Sequence, residues 1–273
     1  MNPFAYLAWR RPSTRVLLYP FFQVHPDPVF FMGNQKSGTT AISSLLAYAA
    51  GLEATTWIPG LDFPVLSSLY EGELSLQKAI HRYARIEFAQ PVIKECNLTF
   101  LHGQVHALYP QARKVFVVRD PRDNLRSILD RLELYGRVAG VSLPDSLHAH
   151  WGHVLDNTWM GGPAGNVICS LAWRWSRAVA VYRQSPGDFI RIRYEDFRAD
   201  PENTIAQLCV ALKLPQKRQI AHWKSHPFQP LGRNRDCQWL DFFGKEHLAQ
   251  IEDICAEGMA DMGYSPTAKY PTV

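Results

Sequence analysis

A glycine-bounded turn and three cationic side chains carry the chemistry that can be read from this chain. Residues 33–40 read GNQKSGTT, with Lys36 inside the turn. The apolar run Val29 to Met32 precedes it. From Thr39 the pattern becomes helical, with Ile42, Leu45, Leu46 and Ala49 on one face. Strand, loop and helix N-terminus make a phosphate cradle. Loop N–H groups and the free N–H groups of the first helical turn converge there, and the helix dipole adds roughly half a positive charge. Gly33 and Gly38 let the backbone turn tightly and approach an anion closely. The loop departs from the triphosphate-binding pattern G-x-x-x-x-G-K-[ST], because Thr39 stands where lysine is required. A kinase needs that lysine at the β- and γ-phosphates and a hydroxyl on magnesium. This loop suits a single 5′-phosphate, with Lys36 reaching its far side.

A second anion site is written in KVFVVRDPRDNLRSIL, residues 114–129. An apolar strand ends at Arg119, Asp120 can cap the next helix, and Pro121 fits its first turn. Ser127, two turns on, can face the same side. Arginine, hydroxyl and helix N-terminus together hold a phosphate, with the guanidinium binding in bidentate fashion. The other reading of these residues is a capping salt bridge of Arg119 or Arg122 to Asp120 or Asp123. The third cation, Lys94, closes the short strand PVIK.

These residues need a scaffold that brings strand ends together. Strands are expected at 29–32, 91–94, 114–119 and 189–194. Helices are expected near 39–50, 74–89, 98–109, 121–135, 165–184, 201–213 and 245–262. Such alternation predicts an α/β fold, a three-layer arrangement with a central parallel sheet flanked by helices. Ligands then bind beyond the carboxyl ends of the strands, which sets Lys36, Lys94 and Arg119 on one rim. One domain over 1–273 is expected. Its excursions at 51–73 and 137–165 are assigned to the acceptor side of the site, with variable surface insertion as the other reading.

GNQKSGTT resembles the 5′-phosphosulfate loop of the sulfotransferase family, usually written PKSGTT. That family has a P-loop NTPase-like fold and uses 3′-phosphoadenosine-5′-phosphosulfate (PAPS). An arginine followed eight residues later by a serine, after an apolar strand, resembles its 3′-phosphate motif. RYEDFRADP at 193–201 is similar to its YED segment, and GRNRD at 232–236 to its basic closing loop. The resemblance implies that Gly33, Gln35, Lys36, Ser37, Gly38, Thr39 and Thr40 hold the donor's 5′ side. It implies Arg119, Ser127 and Arg233 at the 3′-phosphate and Tyr194 at adenine. Lys36 and Lys94 are implied as catalytic cations, and a hydroxyl-bearing carbohydrate, glycolipid or small molecule as acceptor, without metal. The alternatives are a P-loop small-molecule kinase and an inactive nucleotide-binding module.

The chain departs from the family at several points. Ala41 stands where relatives carry a stacking aromatic, so either the stack comes from elsewhere, with Phe228 and Trp223 as candidates, or adenine binding is weaker. Cys96 occupies the place of the cytosolic relatives' catalytic histidine. Glu53, then His102, then Glu95 are the candidates for the base. Trp57, Trp151 and Trp159 could stack on sugars or pack a lid. His148, His150 and His153 show no metal-ligand spacing and read as solvated loop residues.

Composition sets the outer bounds. The chain has 273 residues, 47% hydrophobic and 20% charged, ordinary for a globular protein. A net charge of +4 fits small anionic ligands but not nucleic acid. Five cysteines without CxxC spacing point to a reducing, cytoplasmic setting. No apolar run is long enough to span a membrane, and no signal peptide is recognisable. The aromatic, arginine-bearing arm at 1–27 reads either as a peripheral membrane anchor or as a segment packed on the domain.

Overall fold

Five strands with short apolar cores build one all-parallel sheet. They are β1 (Val29–Gly33), β2 (Ala54–Thr55), β3 (Val92–Lys94), β4 (Lys114–Val118) and β5 (Phe189–Arg193), in the order β2-β3-β1-β4-β5. The computed structural model describes residues 18–137, 151–223, 233–234 and 236–267. Alternate side chains go to opposite faces. Phe30, Met32, Ile93, Phe116 and Val118 enter one buried cluster, and Val29, Phe31, Val92, Val115 and Val117 enter the other. Both faces are therefore buried, which explains the continuous apolar runs.

Helix α1 (Thr39–Ala50) covers the second face with Ile42, Leu45, Leu46 and Ala49. On the same side follow α7 (Tyr194–Ala199) and α8 (Pro201–Ala211), through Phe197, Ile205 and Leu208. The first face is covered by α5 (Pro121–Arg131), α6 (Val167–Gln184) and α9 (Trp239–Met262), which carry Leu125, Trp175 and Ile251 among others. The short helices α2 (Val65–Tyr70), α3 (Leu76–Ala79) and α4 (His102–Leu108) complete that layer.

Three segments differ from expectation. The stretch 51–73 is not an outer excursion. It supplies the edge strand β2 and four fully buried core residues, Ile58, Leu61, Leu66 and Leu69. The expected helix at 74–89 is broken into α3, a π-turn at Ile80–Ala84 and a 3-10 turn at Glu87–Ala89. Among its buried residues, Leu76, Ile80, Ala84 and Phe88 stand four positions apart. An α-helix repeats every 3.6, so the wider π-turn keeps them on one side. Finally, α9 begins at Trp239, ahead of the expected 245, and bends at Gly244 (φ 74°, ψ 168°).

Candidate active site

The loop between β1 and α1 is shaped by backbone positions that few residues accept. Gly33 has φ +134°, and a Cβ there would lie 2.2 Å from the Val117 carbonyl oxygen. Gly38 has φ +92°, and a Cβ there would lie 2.3 Å from the Tyr194 ring. Lys36 is itself left-handed, at φ 65°. Uncharged side chains fix the turn from below. Asn34 Nδ2 donates to Asn124 Oδ1 at 2.9 Å, and Asn124 Nδ2 donates to the Gln35 carbonyl at 2.8 Å and to Ser37 Oγ at 3.0 Å. Gly33 N–H donates to Thr99 Oγ1 at 2.8 Å. Thr39 and Thr40 open α1, and Thr39 Oγ1 lies 3.5 Å from Cys96 Sγ.

The three cations converge on the carboxyl rim. Burial brings the Lys36 pKa down to about 8, helped by the positive charges of Arg131, Arg119 and Lys94. Arg119 Nη1 donates to the Lys36 carbonyl at 3.1 Å, which holds the left-handed turn, while its buried Nε has no hydrogen-bond partner. The Arg119 guanidinium also lies 4.7 Å from the Tyr194 ring centre. Tyr194 thus touches both the glycine of the loop and the arginine of the second motif. Lys94 Nζ donates to the Thr56 carbonyl at 3.3 Å. Burial opposes its charge, but Cys96, Glu95 and Asp62 outweigh burial and leave its pKa above the ordinary lysine value.

The capping alternative goes to Arg122. Its guanidinium grips Asp120 at 2.9 and 2.6 Å, so Arg119 is left for another partner. Ser127 is half-buried on α5, three residues beyond Asn124 and hence on the same face. Arg233 is exposed. The neighbouring Asn234 is tied to Asp130 of α5 through its Nδ2 at 2.6 Å.

Beneath the loop lies a residue that the motifs did not single out. Arg174 of α6 is fully buried. It donates to Gln35 Oε1 at 3.1 Å, Asn97 Oδ1 at 3.0 Å and Asn157 Oδ1 at 2.7 Å, all uncharged acceptors. Burial lowers its pKa to about 9, and Cys96 and Glu95 offset this only in part. His153 joins the same cluster. It is buried, with Nε2 3.3 Å from Asn97 Nδ2, and is not a solvated loop histidine. The signal for Arg174 was present: it is a cation on the apolar face formed by Leu171, Trp175 and Ala178.

Two of the expected base candidates, Glu53 and His102, lie away from this rim. Glu53 precedes β2, whose Ala54 pairs with Val92. At about 3.3 Å per residue, this sets it roughly 10 Å behind Thr56, toward the amino edge of the sheet. His102 contacts Asp188 and Phe189 at the start of β5, also at the amino edge. Glu95 is buried, and both its oxygens are occupied, one by Ile58 N–H and one by Asn97 N–H, each at 3.1 Å. Trp159 is packed, its Nε1 on the His153 carbonyl at 2.9 Å and its ring edge-on to Tyr70. Trp151 is partly buried against the core, and Trp57 is 37% exposed. Trp223 packs edge-on against Tyr48. Phe228, His148 and His150 lie outside the described residues, as do residues 1–17 of the arm. Within the arm's described part, Tyr19 packs on Ile86 while Phe21 is 81% exposed. Among the described residues no helix is long and apolar enough to cross a membrane.

Comparison with known proteins agrees with this geometry. The family model described as "Sulfotransferase family" matches residues 62–218. The fold is similar to that of sulfotransferase STF9 from Mycobacterium avium, with 15% identity and a TM-score of 0.55 over 96% of this chain and 81% of that one. It is also similar to mouse sulfotransferase SULT7A1 complexed with PAP, with 14% identity and a TM-score of 0.50 over 91% and 89%. No curated protein matches the chain in sequence. At such identities the structural likeness establishes the fold, the P-loop NTPase-like three-layer architecture.

Proposed function

The chain belongs to the sulfotransferase family, and from that premise we propose that it moves a sulfuryl group from PAPS to an acceptor hydroxyl. One observation carries this reading. Lys36, Lys94 and Arg119 meet at the carboxyl rim, and the buried Arg119 Nε still lacks a partner. A cationic pocket of that kind fits a donor with phosphate groups at both ends of a ribose. The mouse relative, complexed with PAP, is in keeping with it.

In this reading the loop N–H groups, Gln35, Ser37, Thr39 and Thr40 bind the 5′ side. Arg119, Ser127 and Arg233 bind the 3′-phosphate, and Tyr194 lines the adenine pocket. Lys36 and Lys94 stabilise negative charge on the leaving phosphate oxygen and on the sulfonate oxygens. The acceptor proton goes to a carboxylate at the same rim. Asp62 is assigned that role, because it follows β2 at the carboxyl end and its charge supports Lys94. Glu95, with both oxygens engaged by backbone N–H groups, keeps a structural role. Membrane contact through the arm is a separate proposal, tested by vesicle co-sedimentation of the full chain.

Adenosine 3′,5′-bisphosphate should stabilise the protein thermally without magnesium, by roughly 2.7 kcal/mol at about 100 times its dissociation constant. Equal stabilisation by Mg-ATP would favour a kinase instead. Labelled donor offered with sugars, lipids and phenols identifies the acceptor class, and donor bound without turnover of any acceptor would mark an inactive binding module.

A further inference from the structure

At the amino edge of the sheet, away from the loop, two histidines and a carboxylate face one another. His102 and His106 stand one turn apart on α4, and Asp188 approaches both from the turn before β5. Asp188 Oδ2 lies 3.3 Å from His102 Nε2 and 3.1 Å from His106 Nδ1. All three atoms lie within 4.8 Å of one another. Two ligands on a tetrahedral zinc ion, each about 2.0–2.1 Å from the metal, are roughly 3.3 Å apart. Asp188 Oδ2 therefore stands from each imidazole nitrogen at the spacing of ligand atoms sharing one ion. His102 Nε2 is buried and faces Asp188 Oδ2.

We propose that His102, His106 and Asp188 bind one divalent ion of the zinc class, with water at the fourth position. Two imidazoles and one carboxylate select zinc, cobalt, nickel or copper over magnesium and calcium. Solvent reaches the site through His106 and Asp188, whose side chains are 47% and 30% exposed. Lys114, whose charge acts on the cluster, donates to the Ala112 carbonyl at 3.2 Å. The ion would clamp α4 to the start of β5. It takes no part in the transfer, since the length of β4 separates it from Arg119.

Tag-free, metal-stripped protein is titrated with Zn²⁺ by calorimetry, and with Co²⁺ followed by visible absorption. One equivalent should bind, with the intense Co²⁺ absorption of a tetrahedral site, displaced by Zn²⁺ and unaffected by excess Mg²⁺. His106→Ala and Asp188→Asn should each weaken binding by about 100-fold or more, at least the loss seen for outer-shell partners. Metal-free thermal melts establish that the variants fold. Should Asp188→Asn not fold, His106→Ala at its exposed position decides alone. No saturable Zn²⁺ binding to the wild-type protein, or binding unchanged in the folded variants, overturns the site.

Discussion

Two buried arginines show how differently this protein treats positive charge in two regions. Arg122, at the seam between α5 and α9, is enclosed by partners. It binds Asp120 and Glu252, with Glu252 at 2.8 Å, and stacks on Trp239 at 3.9 Å. Burial opposes its charge, but these carboxylates more than offset that and raise its pKa. Arg174, under the loop, is equally buried but bonds only uncharged groups, and its pKa falls to about 9. The seam satisfies its cation within the fold. Under the loop, Arg174 is held by uncharged acceptors alone, and the buried Arg119 Nε has no hydrogen-bond partner.

The largest effect should distinguish the two arginines directly. Arg122→Met should cost about 3–5 kcal/mol in urea unfolding, because it strands Asp120 and Glu252, with little change in bisphosphate affinity. Arg174→Met should destabilise far less, yet weaken bisphosphate binding because Gln35 loses its support. The contrast collapses if both variants lose the same property.

Within the rim, Lys94 should act on the reaction and not on donor binding. Lys94→Ala should cut single-turnover rates by about 100-fold or more, the size seen for one transition-state donor, while product binding holds. Lys94→Arg should rescue poorly, since a planar fork does not replace a compact ammonium. Near-normal turnover in Lys94→Ala would remove it from the chemistry.

Arg119→Ala should lower donor affinity about 10- to 100-fold, the loss of charge-assisted hydrogen bonds worth roughly 1.5–3 kcal/mol. Acceptor affinity should stay level. Unaltered bisphosphate binding in calorimetry would reduce Arg119 to a support for the Lys36 carbonyl.

The smallest effect is one of pH. Lys36 titrates near 8 when free, and a bound anion raises that value. Binding is then favoured below pH 8 and weakens as pH rises through it. Bisphosphate affinity should fall between pH 7 and 9, and Lys36→Met should flatten that slope.

Much of this rim is legible in the chain because its parts are local. Strand, loop and helix from 29 to 50 follow from periodicity and two glycines, and Arg119 follows from the end of an apolar run. What escaped is long-range. Arg174 supports Gln35 across 139 positions, and no local pattern links α6 to that loop. Glu53 as a base rests on resemblance to the family, one residue out of register, and His102 on nearness along the chain. The parallel register instead carries both toward the amino edge. The strand β2 is two residues long, too short to show alternation.

The left-handed Lys36 has a consequence for any search for improved variants. A lysine at φ 65° with a depressed pKa is unfavourable to the fold twice over, in backbone strain and in desolvated charge. Glycine at position 36 would relieve both, and asparagine would tolerate the backbone without the charge. A screen that scores only expression or melting temperature would therefore enrich such replacements and discard the loop's cation. Stability ranking at this position runs opposite to activity ranking, so the two must be selected together.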